Sequence, residues 1–558
     1  MKKLFLLLII FVMILGACTP AVEEAPAEQP AAEEAEEAEV VEEAEEVEEV
    51  EEAEEVEEAE SEEVMEEVGG TITVGMEAIM FQLDPMATSA LNASMIFENM
   101  FDALLNMNED TLDLEPSVAA DWSISEDGLT WTFNLRDDVY FWDGELLTAD
   151  DVKYTLDRMR DEEMGFTGNT NYLNSMMNVV DTAVVDADTV TVTTEVTVPA
   201  LLYFLEEVYL VPQHYYDGMS GEEAAAADPL GSGPYIFSSY EKDANITMVA
   251  NPDYFLGEPV IKELVWRVIP EASTRVAELE TGGVDLISAV PVSKYEEVRA
   301  MDGVELKTVV SGCRMVLWPD NNDPRFEDAR VRQAINMAID WELINEVFFG
   351  STVPRMVINV NPPWLNEDLT AYPYDPAKAV ELIEEAGWTL NADGIYEKDG
   401  VTMEFPVMTY YESTHERVEI LIAVLDMLRG VGINASAEPT ERSVAFGKMD
   451  SHDFGPMMFA GSCSSFEGEG DIHDLAGDSS TNYGDYMNDD FNAILAEVGM
   501  EFDPAKRAEL LDAAQAIAYE DAPQIWLYNL PLAFATGPRL DYNPIATGRI
   551  HLIAGSYK

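Results

Sequence analysis

Apolar and polar residues recur with different periods along the chain, and this pattern predicts a first group of strands and helices. Residues 69–74 alternate at every second position, which indicates a strand, whereas 92–105 places large apolar residues at helical spacing. A strand-rich stretch follows: 131–135 alternates, and 183–198 carries Val and Thr at every second position around a turn. This half of the chain is therefore expected to mix helices with a β-rich stretch.

The pattern changes after residue 310, where longer helical periods alternate with strands. Helices are predicted at 328–344, 376–386, 416–429 and 504–519, and strands at 313–318, 402–409 and 456–459. Such alternation predicts a second α/β lobe. About 490 residues exceed the roughly 250–300 that one hydrophobic core supports, so two or three lobes are expected.

The first residues have the three-part pattern of a secretory signal. Lys2 and Lys3 precede the uncharged run 4–15, and small residues then lead to Cys18. The apolar run is shorter than the roughly 20 residues that a membrane-spanning helix needs, so residues 1–17 are expected to be removed.

The four residues that end this signal, Leu15 to Cys18, resemble the lipobox of bacterial lipoproteins. The resemblance implies that Cys18 carries lipid, and two acyl chains, at about 0.8 kcal/mol per methylene, hold a protein on a membrane. The alternative is an ordinary signal whose cysteine is incidental. The expected location is the outer face of the cytoplasmic membrane or the cell envelope.

Residues 18–68 form a segment of extreme composition. Thr19 to Val68 contains 25 Glu and no Lys or Arg, mostly as Glu-Glu-Ala and Glu-Glu-Val triplets. A period of three matches neither a helix nor a strand, and adjacent glutamates repel, so an extended acidic tether is expected. A coiled coil is the alternative, but the segment lacks a heptad.

Acidic residues also dominate the rest of the chain. The whole sequence has 110 acidic and 29 basic residues, and only 25 of the acids lie in the tether. This charge opposes binding to nucleic acid or to an anionic membrane surface, because such contacts need Lys and Arg. Membrane contact is expected through the lipid anchor alone.

Motifs of common enzymes are absent from the sequence. The segment Gly461–Ser465 lacks the closing glycine of a nucleophile elbow, and His415-Glu416 lacks the second histidine of a zinc protease. Gly231-Ser-Gly lacks the third glycine of a dinucleotide loop. We therefore expect no enzyme activity, no cofactor and no metal site; a secreted hydrolase such as a glycosidase is the remote alternative.

One set of motifs closely resembles extracellular solute-binding protein family 5, the peptide, nickel and oligosaccharide receptors of ABC importers. It begins with Trp131 to Val139, Asp143-Gly144, Leu147 to Val152, which includes the helix cap Thr148-x-x-Asp151, and Tyr154. It continues, in the same order, through Gly231 to Tyr235, Asn251 to Tyr254, Ser273 to Arg275, Asp285, Val331 to Ile335, Ala338 to Asp340, Tyr374 to Ala379, and Asp521 to Pro523. The resemblance spans essentially everything after Gly69.

The resemblance implies an α/β, bilobed periplasmic-binding-protein-like fold: two α/β lobes joined by a hinge, with an additional β-rich subdomain. The implied boundaries are 69–112, 211–310 and 530–558 for lobe one, 113–210 for the inserted subdomain, and 311–529 for lobe two. Strands that cross between the lobes would form the hinge and enclose the solute. A monomer that delivers its solute to an ABC permease is expected.

By the same resemblance, the solute is held by a first arm, Thr88 to Ser94, and a second arm, Phe459 to Phe466. The implied ligand-binding residues are Ser89, Leu91, Asn92, Trp318, Phe459, Gly461, Ser462, Ser464, Ser465, Phe466, Glu467 and Glu469. Peptide receptors of the family hold the ligand's amino group with an aspartate in a W-x-x-D pattern, from which this chain departs. Ser462 replaces the Trp, and Ser464 or Ser465 replaces the Asp. A buried ammonium group without a charged partner is costly, so either Glu467 or Glu469 binds the ligand's amino group in place of the aspartate, or the ligand lacks a free amine.

Several assignments remain open at this stage. An oligopeptide is the first choice of ligand, and an oligosaccharide is the alternative. Trp318 and Phe459 are interpreted equally well as residues of the hydrophobic core and as ligand-binding residues. Trp131 and Trp142 are expected in the core, and Arg136, Arg275 and Arg332 in internal ion pairs. The resemblance also implies a disulfide between Cys313 and Cys463, with two separate thiols as the alternative.

Overall fold

The computed structural model describes residues 70–78, 82–88, 91–108, 111, 113–166, 173–174, 177–349, 364–410, 417–463, 470–477, 479–553 and 556–557. The predicted signal, Cys18 and the tether lie outside these residues, as do Ser89, Ser464, Ser465, Phe466, Glu467 and Glu469. Internal contacts divide the chain into residues 1–64 and 65–558, and every element below belongs to the second unit. No helix in the described part is long and apolar enough to cross a membrane.

The strands are β1 Thr71–Met76, β2 Leu105–Met107, β3 Leu114–Pro116, β4 Ala119–Ile124, β5 Thr130–Leu135, β6 Val179–Asp186, β7 Thr189–Thr194, β8 Tyr235–Glu241, β9 Asn245–Ala250, β10 Glu263–Val268, β11 Leu286–Ile287, β12 Glu305–Pro319, β13 Thr389–Leu390, β14 Tyr396–Lys398, β15 Val401–Thr402, β16 Glu404–Tyr410, β17 Asn434–Thr440, β18 Met457–Cys463, β19 Ile525–Thr536, β20 Leu540–Asp541 and β21 Ser556–Tyr557.

The α-helices are α1 Leu91–Phe97, α2 Ala149–Arg160, α3 Leu201–Leu205, α4 Gln213–Tyr216, α5 Gly221–Ala226, α6 Ala272–Glu280, α7 Tyr295–Arg299, α8 Ala329–Met337, α9 Trp341–Ile344, α10 Pro376–Glu385, α11 Arg417–Gly430, α12 Arg442–Asp450, α13 Gly470–His473, α14 Asp489–Val498 and α15 Pro504–Asp521. Short 3₁₀ turns lie at Glu162–Met164 and Val292–Lys294, and a π-helical turn at Asn345–Phe349.

Two long antiparallel strands, β12 and β19, run through the centre of a ten-stranded sheet. Its strand order is β17-β16-β18-β12-β19-β11-β1-β10-β9-β8. The first half of β12 pairs with the second half of β19, from Glu305↔Thr536 to Val310↔Pro531, and pairing resumes at Arg314↔Asn529 after a register shift. The sheet therefore passes from one half to the other through an irregularity in its two crossing strands.

The predicted β-rich stretch is a four-stranded antiparallel sheet in the order β4-β5-β7-β6. Trp131, Phe133 and Leu135 of β5 are buried on one face, as their alternation predicts. Helix α2 packs beside this sheet and begins with the predicted capping box of Thr148 and Asp151.

Two of the motifs that resemble family 5, at 231–235 and 251–254, meet in one buried hydrogen-bond network. The Asp102 carboxylate accepts bonds from Ser232 Oγ (2.7 Å) and Tyr254 Oη (2.8 Å). Burial raises the pKa of Asp102 although these two bonds lower it. A Cβ at Gly233 would lie 2.4 Å from the backbone carbon of Met100, so only glycine allows this close approach. These motif residues thus hold the lobe together.

The arginines expected to form internal ion pairs behave differently from one another. Arg136 pairs with Asp138 through two bonds of 2.8 Å, as expected. For Arg275 and Arg332 the prediction was wrong, because their guanidinium groups bind backbone carbonyls. Arg275 donates to the carbonyls of Ile269 (2.7 Å), Pro270 and Ala289. Arg332 donates to the carbonyls of Phe326, Glu327, Asp521 and Ala522. A guanidinium has five donors, which suits it to gather carbonyls where chain segments end.

Two predicted helices are shorter in the structure than their apolar spacing indicated. The helix expected at 92–105 ends at Phe97, because Asn99 Nδ2 bonds the carbonyls of Met95 and Ile550, and the chain then forms β2. The helix expected at 328–344 is divided into α8 and α9, since Asp340 caps a new helix by accepting a bond from Leu343 N (3.0 Å).

Candidate functional site

The carboxyl ends of three strands in the second half of the sheet lie along one edge. β16 is parallel to both β17 and β18, and ligands of open α/β sheets bind beyond such ends. Among the described residues β16 reaches Tyr410 and β18 reaches Cys463, and Met408 of β16 pairs with Met458 of β18. Gly461 and Ser462 thus lie on the strand next to β16, near this edge of the sheet.

Aromatic and cationic side chains that the sequence analysis had not assigned lie at this edge. The Arg417 guanidinium is 4.3 Å from the ring centroid of Tyr410 and 5.7 Å from that of Phe459. Phe446 of α12 contacts the Tyr410 ring at 5.4 Å and remains 39% exposed. Tyr410 directly follows the predicted strand 402–409, and Arg417 lies at the start of the predicted helix 416–429. Their place at the ends of predicted elements was the signal in the sequence that could have indicated these two residues.

The second arm begins as a regular part of β18. Gly461 lies opposite Met315 and Ser462 opposite Arg314 in the antiparallel pairing with β12. A Cβ at Gly461 would approach Met315 Sδ to 3.1 Å, so a larger residue would disturb the neighbouring strand. Helix α13 follows, and Asp474 after it forms a buried ion pair with Arg314 at 2.5 Å.

Trp318 and Phe459, for which the sequence left a ligand role and a core role open, have separate surroundings. They are 1% and 0% exposed and lie in two cores on opposite faces of the sheet. Trp318 packs edge-on against Tyr483 at 5.5 Å. Because side chains alternate across a sheet, β12 and β18 direct these two rings to opposite sides, each into a buried core.

The first arm is fixed at its base by a buried ion pair. Asp84 is 0% exposed and pairs with Arg158 of α2, while Met86 N donates to Asp84 Oδ1 (3.0 Å). Leu91 is 41% exposed, so it remains available to a ligand. Asn92 Nδ2 donates to the Ala78 carbonyl (2.9 Å), which gives this predicted ligand residue a structural hydrogen bond.

A charged cluster lies behind the first arm. Arg549 pairs with Glu206 and Glu207, each at 2.6 Å, and with Glu98 at 3.7 Å. Burial raises the pKa of Glu206 from 4.5 to about 7, against the lowering effect of Arg549. Tyr209 beside the cluster donates to the Ser94 carbonyl (3.4 Å), so the cluster supports the end of the arm.

Two cavities are lined by residues that fall within 82–226. The larger, about 680 Å³, is lined by residues that include Asp150, Tyr154 and Arg158, and the smaller, about 390 Å³, by Gln82 and Ala87 among others. Within the described residues, no three His, Cys, Asp or Glu side chains are grouped so as to hold a metal ion.

Comparison with known proteins identifies the family. The sequence profile of the bacterial extracellular solute-binding proteins, family 5, matches residues 113–484. The chain belongs to this family. The oligopeptide-binding protein AppA of Bacillus subtilis is 27% identical over 487 residues, which cover 82% of this chain and 86% of AppA. Heme-binding protein A of Haemophilus influenzae is 27% identical over 469 residues, 79% of this chain and 82% of that protein.

Solved structures of family members have the same fold. AppA from Bacillus subtilis in complex with a nonapeptide gives a TM-score of 0.71 at 22% identity, covering 88% of this chain and 99% of AppA. NikA from Brucella suis with Fe(III)-EDTA gives 0.78 at 23% identity, covering 88% and 100%. The expected α/β, bilobed binding-protein fold is therefore confirmed.

Proposed function

We propose that this chain is the extracytoplasmic solute receptor of an ABC importer and that it captures oligopeptides between two closing lobes. The observation that carries the proposal is the edge of the sheet at which the parallel strands β16, β17 and β18 present their carboxyl ends, beside Gly461 and Ser462 of β18. An extended peptide can bind in such a place through strand-like hydrogen bonds of its backbone, whatever its side chains. The similarity to AppA supports the peptide class.

The crossing strands provide the conformational change that such a receptor needs. One of their two register shifts lies at Val310/Arg314, where the predicted boundary between lobe one and lobe two falls, and the other lies at Met315/Val316. Ser311 Oγ donates to the Leu530 carbonyl (2.8 Å) within the shift, so side-chain bonds replace part of the strand pairing. We therefore place the hinge here and retain 69–112, 211–310 and 530–558 as lobe one, 113–210 as the insertion and 311–529 as lobe two.

The ligand class is tested by native mass spectrometry of the purified protein, followed by calorimetry with defined peptides, malto-oligosaccharides and haemin. We expect co-purifying peptides and calorimetric binding of peptides alone. Sugars or haemin that bind while peptides do not would overturn the ligand class and keep the receptor function. Chromogenic glycosides and peptides serve as the assay for a hydrolase, and we expect no turnover.

The ammonium partner is tested by single substitutions at the two glutamates. If the peptide's amino group is held there, Glu467→Gln or Glu469→Gln weakens binding by about 1.5–3 kcal/mol, the scale of a hydrogen bond to a charged group. Glu342→Gln, at an exposed position on α9, is the matched control and should leave the affinity unchanged. Equal affinities in all variants would exclude both glutamates.

We further propose that Cys18 carries lipid and that the receptor, as a monomer, stands off the membrane on its acidic tether near the permease. Fifty residues at about 3.3 Å each reach roughly 165 Å, and repulsion between glutamates favours extension. Labelled fatty acid should enter wild-type protein and the control Thr19→Ala but not Cys18→Ala. A Cys18→Ala protein that still fractionates with membranes would refute the anchor.

A further inference from the structure

Phe502 brings together two parts of the molecule that are assigned to different lobes. It lies within 311–529, proposed as lobe two, and its ring packs against Trp131 of β5 in the inserted subdomain. The two ring centroids are 6.0 Å apart and the ring planes meet at 67°, an edge-to-face arrangement. The contact is therefore a favourable pairing of two aromatic rings across the proposed boundary.

A glycine in the turn between β4 and β5 makes room for this ring. A Cβ built at Gly128 would lie 2.9 Å from Phe502 Cε2 and 2.9 Å from Thr197 Cγ2. Gly128 also has a φ of +71°, which residues with a side chain rarely adopt. The ring thus fits because residue 128 has no side chain. We call the contact of Phe502 with Gly128 and Trp131 the latch contact.

The loop that carries Phe502 is fixed to lobe two at both ends. It joins α14 to α15, and the two helices pack together in one of the cores of that lobe. Arg507 Nη1 donates to the Val498 carbonyl (2.7 Å), and the Asp503 side chain caps α15. Phe502 is therefore expected to move with lobe two.

The inserted subdomain is fixed to lobe one instead. Trp142 Nε1 donates to the Gly233 carbonyl (3.1 Å), and Arg158 forms its buried ion pair with Asp84. Residues of β4 to β7 also belong to the same hydrophobic core as β1 and β10. In the described part of 311–529, Phe502 is the one hydrophobic residue that packs against this core. The latch contact thus joins lobe two to the body that lobe one and the insertion form.

Movement of the lobes breaks the latch contact. Its two sides belong to different bodies, so a rotation at the register shift between Val310 and Arg314 moves Phe502 relative to Trp131. Aromatic pairs hold at centroid separations of about 4.5–7 Å, and the present 6.0 Å leaves little room for movement. Opening also exposes the half-buried Phe502 ring to water, which costs further free energy. The contact therefore favours the closed arrangement of the lobes.

We propose that Phe502 is a latch that holds lobe two on the inserted subdomain and leaves its site before a solute enters or is released. The inference rests on the proposed function for the movement of the lobes and for the solute. A contact made only in the closed state raises the population of that state, with or without ligand. Solute release should accordingly be slower with the latch contact than without it.

The first experiment measures distances between the two bodies without ligand. Protein lacking Cys18 receives spin labels on cysteines introduced by Val185→Cys in the insertion and Met487→Cys in lobe two, positions that are 61% and 65% exposed. Val196→Cys and Leu390→Cys, 50% and 55% exposed, form a second pair, so that a rotation to which one pair is insensitive is detected by the other. Double electron–electron resonance then gives the distance distributions and the fraction of open molecules.

Phe502→Ala removes the ring in this experiment. Met500→Ala is the matched control, because Met500 lies in the same loop, is 58% exposed and takes no part in the latch contact. We expect Phe502→Ala to raise the ratio of open to closed molecules on the order of tenfold, and the control to leave it unchanged. Unchanged distances in Phe502→Ala overturn the proposal, and so does an equal change in the control.

Gly128→Ala tests the same contact from its other side. The new Cβ displaces the Phe502 ring, so the open fraction should rise in this variant as well. In Phe502→Ala/Gly128→Ala no ring is left to displace, and the open fraction should equal that of Phe502→Ala alone. Additive effects of the two substitutions would contradict the proposal, because the two residues would then act independently. Thermal unfolding of each variant checks that it is folded.

The second experiment measures the release of a fluorescently labelled nonapeptide during a chase with excess unlabelled peptide. We expect release on the order of tenfold faster from Phe502→Ala, equivalent to about 1.4 kcal/mol, and unchanged release from Met500→Ala. Unchanged release from Phe502→Ala, despite altered distances, would overturn the role of the latch in solute exchange. Failure of wild type to bind any peptide would instead refute the proposed ligand class, while the distances still decide whether Phe502 holds the lobes together.

Discussion

The buried cluster behind the first arm predicts an unusual dependence of stability on pH. Glu206 is 5% exposed, and Arg549 beside it is 7% exposed. Burial opposes the charge of Arg549, but Glu206, Glu98 and Glu207 together outweigh this effect and raise its pKa, so the arginine stays charged. Three carboxylates share one cation, and burial raises the pKa of the most buried of them, Glu206, against the lowering effect of Arg549.

The sign and size follow from the pKa of Glu206, which is 4.5 when exposed and about 7 in the folded protein. The folded state binds this proton more tightly than the unfolded state, so the stabilisation is complete below about pH 4.5 and is lost as the pH rises through about 7. At about 1.36 kcal/mol per pKa unit, the group contributes about 3 kcal/mol. This carboxyl group therefore opposes the usual loss of stability in acid.

The perturbation is Glu206→Gln, which keeps the shape and removes the titration. Urea unfolding gives the free energy of unfolding of wild type and variant at several pH values between about pH 5 and about pH 8. Distant titrating groups contribute equally to both proteins, so their contributions drop out when the two free energies are subtracted. Wild type should lose about 2.5 kcal/mol more than the variant over this range, which covers most of the titration. Glu207→Gln is the matched control, because Glu207 contacts the same arginine but is half exposed and screened by solvent. Parallel pH curves for wild type and Glu206→Gln would refute the reasoning.

Three further predictions concern the core, a close backbone approach and the cysteines. Trp318→Ala should lower the free energy of unfolding by about 3–5 kcal/mol without lowering peptide affinity below the melting range; a selective loss of affinity would restore Trp318 to the ligand site. Gly233→Ala should destabilise the protein by about 1–3 kcal/mol, because the new Cβ clashes with Met100. Gly447→Ala, which has open space around it on helix α12, should stabilise the protein by about 0.5–1 kcal/mol. Thermal unfolding measures both variants, and equal shifts of their melting temperatures would contradict this prediction. Cys313 is disulfide-bonded and lies opposite Cys463 in the register of β12 with β18. Unfolded, unreduced protein that lacks Cys18 should therefore not react with a thiol reagent. Reaction with two equivalents of the reagent would exclude the predicted bridge.

The family motifs of lobe one mainly encode its architecture. Ser232 and Tyr254 both bond the buried Asp102, and Asp285 binds Arg539 through two bonds of 2.8 and 2.7 Å. Such side chains fix where chain segments cross, and the proposed ligand residues lie elsewhere, on the two arms. This division explains why the motifs identified the family but did not distinguish a peptide from an oligosaccharide.

The sequence by itself determined the elements whose pattern is local. The alternation at 131–135, the capping box of Thr148 and Asp151, and the helix 376–386 appear in the structure within a few residues. Each depends on side chains one to four positions apart, so neighbouring residues contain the whole signal. The predicted helix 328–344 is interrupted where Asp340 caps a new helix, which its apolar spacing did not indicate.

Only the tertiary structure decided which distant residues meet. The burial of Trp318 and Phe459 on opposite faces depends on the register of β12 with β18, and sequence periodicity cannot fix a register between strands far apart in the chain. The contact of Arg417 with Tyr410 and the pairing of Arg314 with Asp474 likewise arise from chain segments brought together by the sheet. The local pattern thus sets the strands and helices, whereas long-range packing sets the chemistry at their ends.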